Sequence, residues 1–177
     1  GTFNLGLQNG GVWNNTGKEE ANISLLDATD TGNGVIFQNK DSGGITVDRF
    51  RGHALVLYSH SAADPTDILG GDVTVKKADA NSFLTLRTDR SGINMGDYHG
   101  VENVLDALAK KLTYTDAVNG VSNLNGRVEI AEGLTAASAA KQYGTHPYKE
   151  GFAVLPDLHI VFRRIVTNAI HDLRKPH

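Results

Sequence analysis

The sequence predicts a mainly β fold, an array of short strands flanked or capped by one or two helices. Three observations carry this expectation. The first hundred residues break into short apolar or alternating runs separated by Gly, Asn and Asp turns. Two strand–turn–strand units look like copies of one unit, and a repeat of that length marks a solenoid or array. Helical periodicity enters only after residue 100.

The strands follow in order. Phe3, Leu5 and Leu7 alternate with Asn4 and Gly6, the period-2 mark of a half-buried strand. Asn9-Gly10-Gly11 and Asn14-Asn15-Thr16-Gly17 punctuate the chain on either side of Val12-Trp13. Ile23-Ser24-Leu25-Leu26 and Val35-Ile36-Phe37 are the next apolar pieces, then the alternating Ile45-Thr46-Val47 and the longer run Ala54-Leu55-Val56-Leu57-Tyr58. Val73-Thr74-Val75 and Phe83-Leu84-Thr85-Leu86 close the series. The repeat sets Ile45 against Val73, 28 residues apart, and Leu55 against Leu84, 29 apart.

Val101, Val104, Leu105, Leu108 and Leu112 then form one helical stripe. Glu102 near its start and Lys110-Lys111 near its end suit the helix dipole, and Asp106 and Lys110 stand at i,i+4. Asn119-Gly120 and Asn125-Gly126 read as turns, and Arg127-Val128-Glu129-Ile130 as a short alternating strand. The Ala-rich stretch from Thr135 to Gln142 fits a helix or a small-residue strand equally. Leu158, Val161, Phe162, Ile165, Val166, Ile170 and Leu173 recur at helical spacing, and predict a terminal helix between Pro156-Asp157 and Pro176.

Composition narrows the function classes. The 177 residues are 40% hydrophobic and 21% charged, so a core can form. There are 20 Gly against 4 Pro. Cysteine is absent, which excludes disulfides, a thiolate metal site and a cysteine nucleophile. A net charge of −3 argues against a general nucleic-acid binder. No apolar run reaches the roughly 20 residues that span a bilayer. The chain begins at Gly1 with no signal peptide behind it, so an excerpt or processed piece is expected.

Motifs for chemistry are weak. Asp27-Ala28-Thr29-Asp30-Thr31-Gly32-Asn33-Gly34 looks somewhat like a calcium loop, but its third and fifth positions are Thr29 and Thr31 and its twelfth is Gln38. A solvated turn is the simpler reading. The seven histidines, His53, His60, His99, His146, His159, His171 and His177, include no zincin-like i,i+4 pair. No nucleophile elbow or phosphate loop appears. A polysaccharide-cleaving enzyme would need two converging carboxylates, for which Asp48, Asp64, Asp67, Asp72, Asp79 and Asp89 are available, mostly at turn positions. The acceptor patterns at Asn14 and Asn22 are read as coincidence in an Asn-rich chain. Catalytic residues, metal ligands and cofactors are therefore all expected to be none. Trp13, Tyr58 and Tyr98 are candidate contacts if solvent-exposed, with core packing the simpler role for Trp13.

Gly71-Asp72-Val73-Thr74-Val75, Leu84-Thr85-Leu86-Arg87-Thr88-Asp89 and Ser91-Gly92-Ile93 resemble passenger segments of bacterial autotransporter proteins. The stretch from Asn103 to Tyr114 resembles a helix that recurs there, and that from Gly126 to Ala136 a recurring strand-and-turn piece. The resemblance covers roughly residues 35 to 140, and residues 145 to 177 depart from it. It implies a parallel β-helix (β-solenoid) on the bacterial cell surface, with an outer-membrane barrel elsewhere in the full-length chain. The expected division is solenoid rungs over 1–100, a helix and further strands over 101–144, and a tail with an amphipathic helix over 145–177. The expected role is adhesion or a stalk, with a surface glycan or protein as partner and no nucleic acid. The alternatives are a carbohydrate-active enzyme on the same scaffold and a purely structural spacer.

Overall fold

The computed structural model describes residues 1–29, 34–115, 124–131 and 153–155. It is mainly β, with a single α-helix among the described residues. Strands β1 (Thr2–Gly6), β2 (Val12–Asn15), β3 (Ala21–Ala28), β4 (Gly34–Gln38) and β5 (Ile45–His60) come first. They are followed by β6 (Ile68–Leu69), β7 (Val73–Ala78), β8 (Ser82–Asp89), helix α1 (Tyr98–Ala109), β9 (Leu112–Tyr114), β10 (Leu124–Ala131) and β11 (Ala153–Leu155).

Successive strands alternate between two parallel ladders. Ladder A pairs β1, β3, the first half of β5, β7 and β9 in that order. Ladder B pairs β2, β4, the second half of β5, β8 and β10. The chain thus builds layers, each with one strand in A and the next in B. Two short antiparallel pairings are added, β6 on the end of β5 and β11 on β10.

Stacking in register turns the sequence pattern into columns of side chains. In ladder A, Ala21, Ile45, Val73 and Leu112 form one column, and Ile23, Val47, Val75 and Tyr114 the next. Ladder pairing then skips Ser24, Asp48 and Lys76 and resumes, so that Leu26, Phe50 and Ala78 form a third inward column. These three layers share one spacing, inward at positions one, three and six. In ladder B, Trp13, Ile36, Val56, Leu86 and Val128 form the central inward column. The inward columns of both ladders and the stripe of α1 make one continuous buried cluster.

The two ladders meet at a corner inside β5. Gly52 takes φ +94° there, and a Cβ on it would lie 2.1 Å from the Ala28 carbonyl oxygen. Only glycine fits both the conformation and the approach. Gly71 does similar work lower down, where a Cβ would lie 2.2 Å from the Gly44 nitrogen.

Several expectations need correction. The 28-residue offset matches the pairing of Ile45 with Val73, but Leu55 pairs with Thr85 and Leu84 with Ala54. The second offset is therefore 30, and the one-residue difference changes the face: Leu84 joins the main core, while Leu55 lies on the opposite side of ladder B. The helix begins at Tyr98 and ends at Ala109. Leu112 keeps the spacing of the stripe but belongs to β9, because the chain turns at Lys110 and Lys111 and pairs with β7. Asn125-Gly126 is no turn; it lies in β10, where Gly126 pairs with Leu84. The Asn119-Gly120 turn, the stretch from Thr135 to Gln142 and the helix expected between 157 and 174 lie outside the described residues.

Candidate functional site

The outward face of ladder A is polar and organised across layers. Arg51 of β5 reaches Asp27 of β3 at 2.7 Å, and Arg49 forms a two-pronged pair with Asp79, which follows β7, at 2.7 and 3.0 Å. Lys76 lies 3.5 Å from Asp48, and the Thr46 hydroxyl donates to Glu20. One outward column reads Thr2, Asn22, Thr46, Thr74, Thr113. Asp27 is the most perturbed of these carboxylates. The Arg51 guanidinium, helped by the Thr29 hydroxyl and backbone N–H, lowers its pKa to about 2 against the opposing effect of burial.

The outward face of ladder B is exposed at Val12 and Asn14 of β2 but largely buried from β4 onward. Val35, Leu55 and Leu57 form a second, smaller apolar cluster with Phe37 packed on it. Further along the same columns stand Arg87 and Glu129, whose side chains are both 0% exposed and ion-paired, with Arg127 beside Glu129 at 3.9 Å. Arg127 also donates to the Thr85 hydroxyl at 3.3 Å and lies over the Phe83 ring. A polar column runs along the inner side of ladder B. The Asn15 amide donates to Gln38, and the Gln38 amide and the Tyr58 hydroxyl both donate to the Gly71 carbonyl.

Clefts flank the helix. One of about 520 Å³ is lined by Thr66, Asp67, Ile68, Asn103, Asp106 and Lys110, among others. A second of about 260 Å³ lies between Pro65-Thr66, Ile93-Asn94, Asp97 and Val104. The described residues of both clefts bring hydroxyl, amide and carboxylate side chains together, with no histidine among them.

The candidate contacts fare differently. Tyr58 is fully buried and is not a surface contact; burial, with the Asp72 charge nearby, pushes its phenol well above the ordinary range. Trp13 is half-buried and packs edge-on against Phe3 with ring centroids 6.1 Å apart, which fits the packing role. Tyr98 is half-buried at the start of α1 with His99 against its ring. Of the carboxylates, Asp48, Asp72 and Asp79 each face a cation: Lys76, Lys111 and Arg49. Asp64 caps its own turn through Thr66. Asp27, first residue of the calcium-like loop, is held by Arg51. Asn14 and Asn22 are exposed.

His53 is exposed against Phe83. His60 sets its two ring nitrogens 2.9 Å from the carbonyl oxygens of Ser61 and Asp89. The other histidines, His146, His159, His171 and His177, lie outside the described residues. Among the described residues no three His, Asp or Glu side chains gather to form a metal site.

The buried group of Arg87, Arg127 and Glu129 was not foreseen. Alternation with Val128 and Ile130 points Arg127 and Glu129 away from the core, and it does so correctly. What it cannot convey is that the opposite face is buried as well. The one signal available was the unbroken apolar run from Ala54 to Tyr58, which suits a strand buried on both faces.

Comparison with protein-family models, with curated proteins and with solved structures found no significant match.

Proposed function

We propose that the chain is a segment of a parallel β-solenoid, a non-enzymatic passenger piece of a bacterial cell-surface protein with an adhesive or stalk role. The observation that carries this reading is the alternation of successive strands between two parallel ladders, with the same inward columns repeated from layer to layer. A rod of stacked layers extends a surface outward at about 4.8 Å per layer. Such a rod needs no catalytic centre to serve as a stalk or a presenting face. Three of the carboxylates considered for catalysis are engaged with cations, which supports the non-enzymatic reading over a carbohydrate-active one.

One observation favours the spacer version over adhesion. The outward face of ladder A presents ion pairs and threonines rather than the aromatic platforms on which sugars usually stack. Two experiments test the proposal. The complete reading frame is expected to encode a membrane barrel of alternating strands downstream; a frame without one sinks the surface reading. A glycan-array screen of the purified chain then separates the roles, since specific retention supports adhesion and its absence leaves the stalk.

A further inference from the structure

We propose that the buried group of Arg87, Glu129 and Arg127 is a register lock that fixes β10 on β8. It does not depend on what the whole protein does. The argument begins with connector lengths. Within a layer, five residues join β1 to β2 (7–11), five join β3 to β4 (29–33) and three join β7 to β8 (79–81), while β5 runs through its corner unbroken. In the last layer nine residues, 115–123, separate β9 from β10. A two-residue slip moves a strand by only about 6.6 Å. Nine residues absorb that displacement easily, so the connector does not set the register.

The inward apolar pattern does not set it either. In the observed register Val128 pairs with Leu86, Gly126 with Leu84 and Ile130 with Thr88. If β10 slipped by two toward the start of β8, Val128 would meet Leu84 and Ile130 would meet Leu86, so the burial of these two would be kept and, of the inward apolar residues, only Leu124 would pass beyond the end of β8. The outward columns decide. That slip sets Glu129 against Thr85 and leaves Ala131 against Arg87, separating two fully buried opposite charges. The reverse slip sets Arg127 against Arg87 and Glu129 against Asp89, two like-charge pairs. A one-residue slip in either direction turns the charges into the core. Only the observed register pairs Arg87 with Glu129. On β4 and β5 the same columns carry Val35, Phe37, Leu55 and Leu57; the buried carboxylate Glu129 stands on β10, after the long connector, and its partner Arg87 on the neighbouring β8. Fixing register is the best-attested use of a buried polar pair.

The chain has no cysteine, so engineered pairs report register cleanly. Val128→Cys with Leu86→Cys reports the observed register, and Val128→Cys with Leu84→Cys reports the slipped one. Each pair is oxidised in the otherwise native chain and in an Arg87→Met, Glu129→Leu background. The native chain is expected to cross-link the first pair alone. In the Met/Leu background the second pair is expected to rise by about tenfold or more, the population change that ~1.4 kcal/mol produces. A folded Met/Leu chain that still cross-links only the first pair overturns the lock. Should the Met/Leu chain fail to fold, the chain with all three charges reversed, Arg87→Glu, Arg127→Glu and Glu129→Arg, decides. Restored cross-linking of the first pair supports the lock, and slipped cross-linking or failure to fold overturns it.

Discussion

The outward faces of the two ladders use the same residue types for different ends. On ladder A, Arg49 and Asp79 meet in a two-pronged pair whose side chains are 56% and 33% exposed. On ladder B, Arg87 and Glu129 meet with no exposure at all. Water screens the first pair and would solvate either partner left alone. The second has given up its hydration, so its charges depend on the partners buried with them. Geometry is similar in the two places, and burial decides how much the pairing matters. The difference predicts that the exposed Arg49–Asp79 pair of ladder A tolerates the loss of one partner better than the Arg87–Glu129 pair of ladder B.

The comparison is broken most directly at Glu129. Glu129→Ala removes the carboxylate that faces the buried Arg87 guanidinium, and is expected to destabilise the fold by about 3–5 kcal/mol. A urea melt followed by circular dichroism checks this, and a midpoint unchanged from the parent would show that the pair is not desolvated in solution. A smaller loss is expected from Tyr58→Phe on the inner side of the same ladder. The change keeps the ring and removes the hydrogen bond to the Gly71 carbonyl, about 1 kcal/mol. A loss of several kcal/mol would mean that the whole column from Asn15 through Gln38 depends on that hydroxyl.

Much of the fold was legible because each strand declares its own period. Ile45-Thr46-Val47 and Val73-Thr74-Val75 carry the alternation of a strand with one wet face, and they stack directly on one another. The helix was legible through Val101, Val104, Leu105 and Leu108, all four of which are buried. Leu112 was misread because a strand entering at the end of a helix can continue the stripe by chance. Leu55 and Leu84 were matched one residue out of register because ladder B is apolar on both faces near Leu55, and an apolar run has no period to read. The ion pairs were illegible for a different reason. Asp27 with Arg51, and Arg87 with Glu129, are 24 and 42 residues apart, and only the layer-to-layer register brings them together.

Acid is expected to sharpen the comparison on the ladder A side. Asp27 titrates near 2 in the folded chain, below the ordinary carboxylate value of 3.8. A depressed carboxylate contributes stability that is fully present above the unfolded pKa and is lost as pH falls through the folded one. The loss should therefore fall between about pH 4 and pH 2, where melts of the parent chain would weaken and those of Asp27→Asn would lack that component. Equal acid sensitivity in both chains would place the Asp27–Arg51 contact outside the cooperative fold.

The smallest effect is expected at the most exposed pair. Asp79→Asn removes the partner of Arg49, which then turns to water, and the shift in melting midpoint should be the least of the four. Salt supplies the control. Screening acts on exposed charges, so raising ionic strength should erase the difference between Asp79→Asn and the parent while leaving that between Glu129→Ala and the parent largely intact. If salt instead collapsed the Glu129 difference, ions would be reaching Arg87. The buried face of ladder B would then be open to solvent, and the contrast between the two ladders would rest on residue position alone.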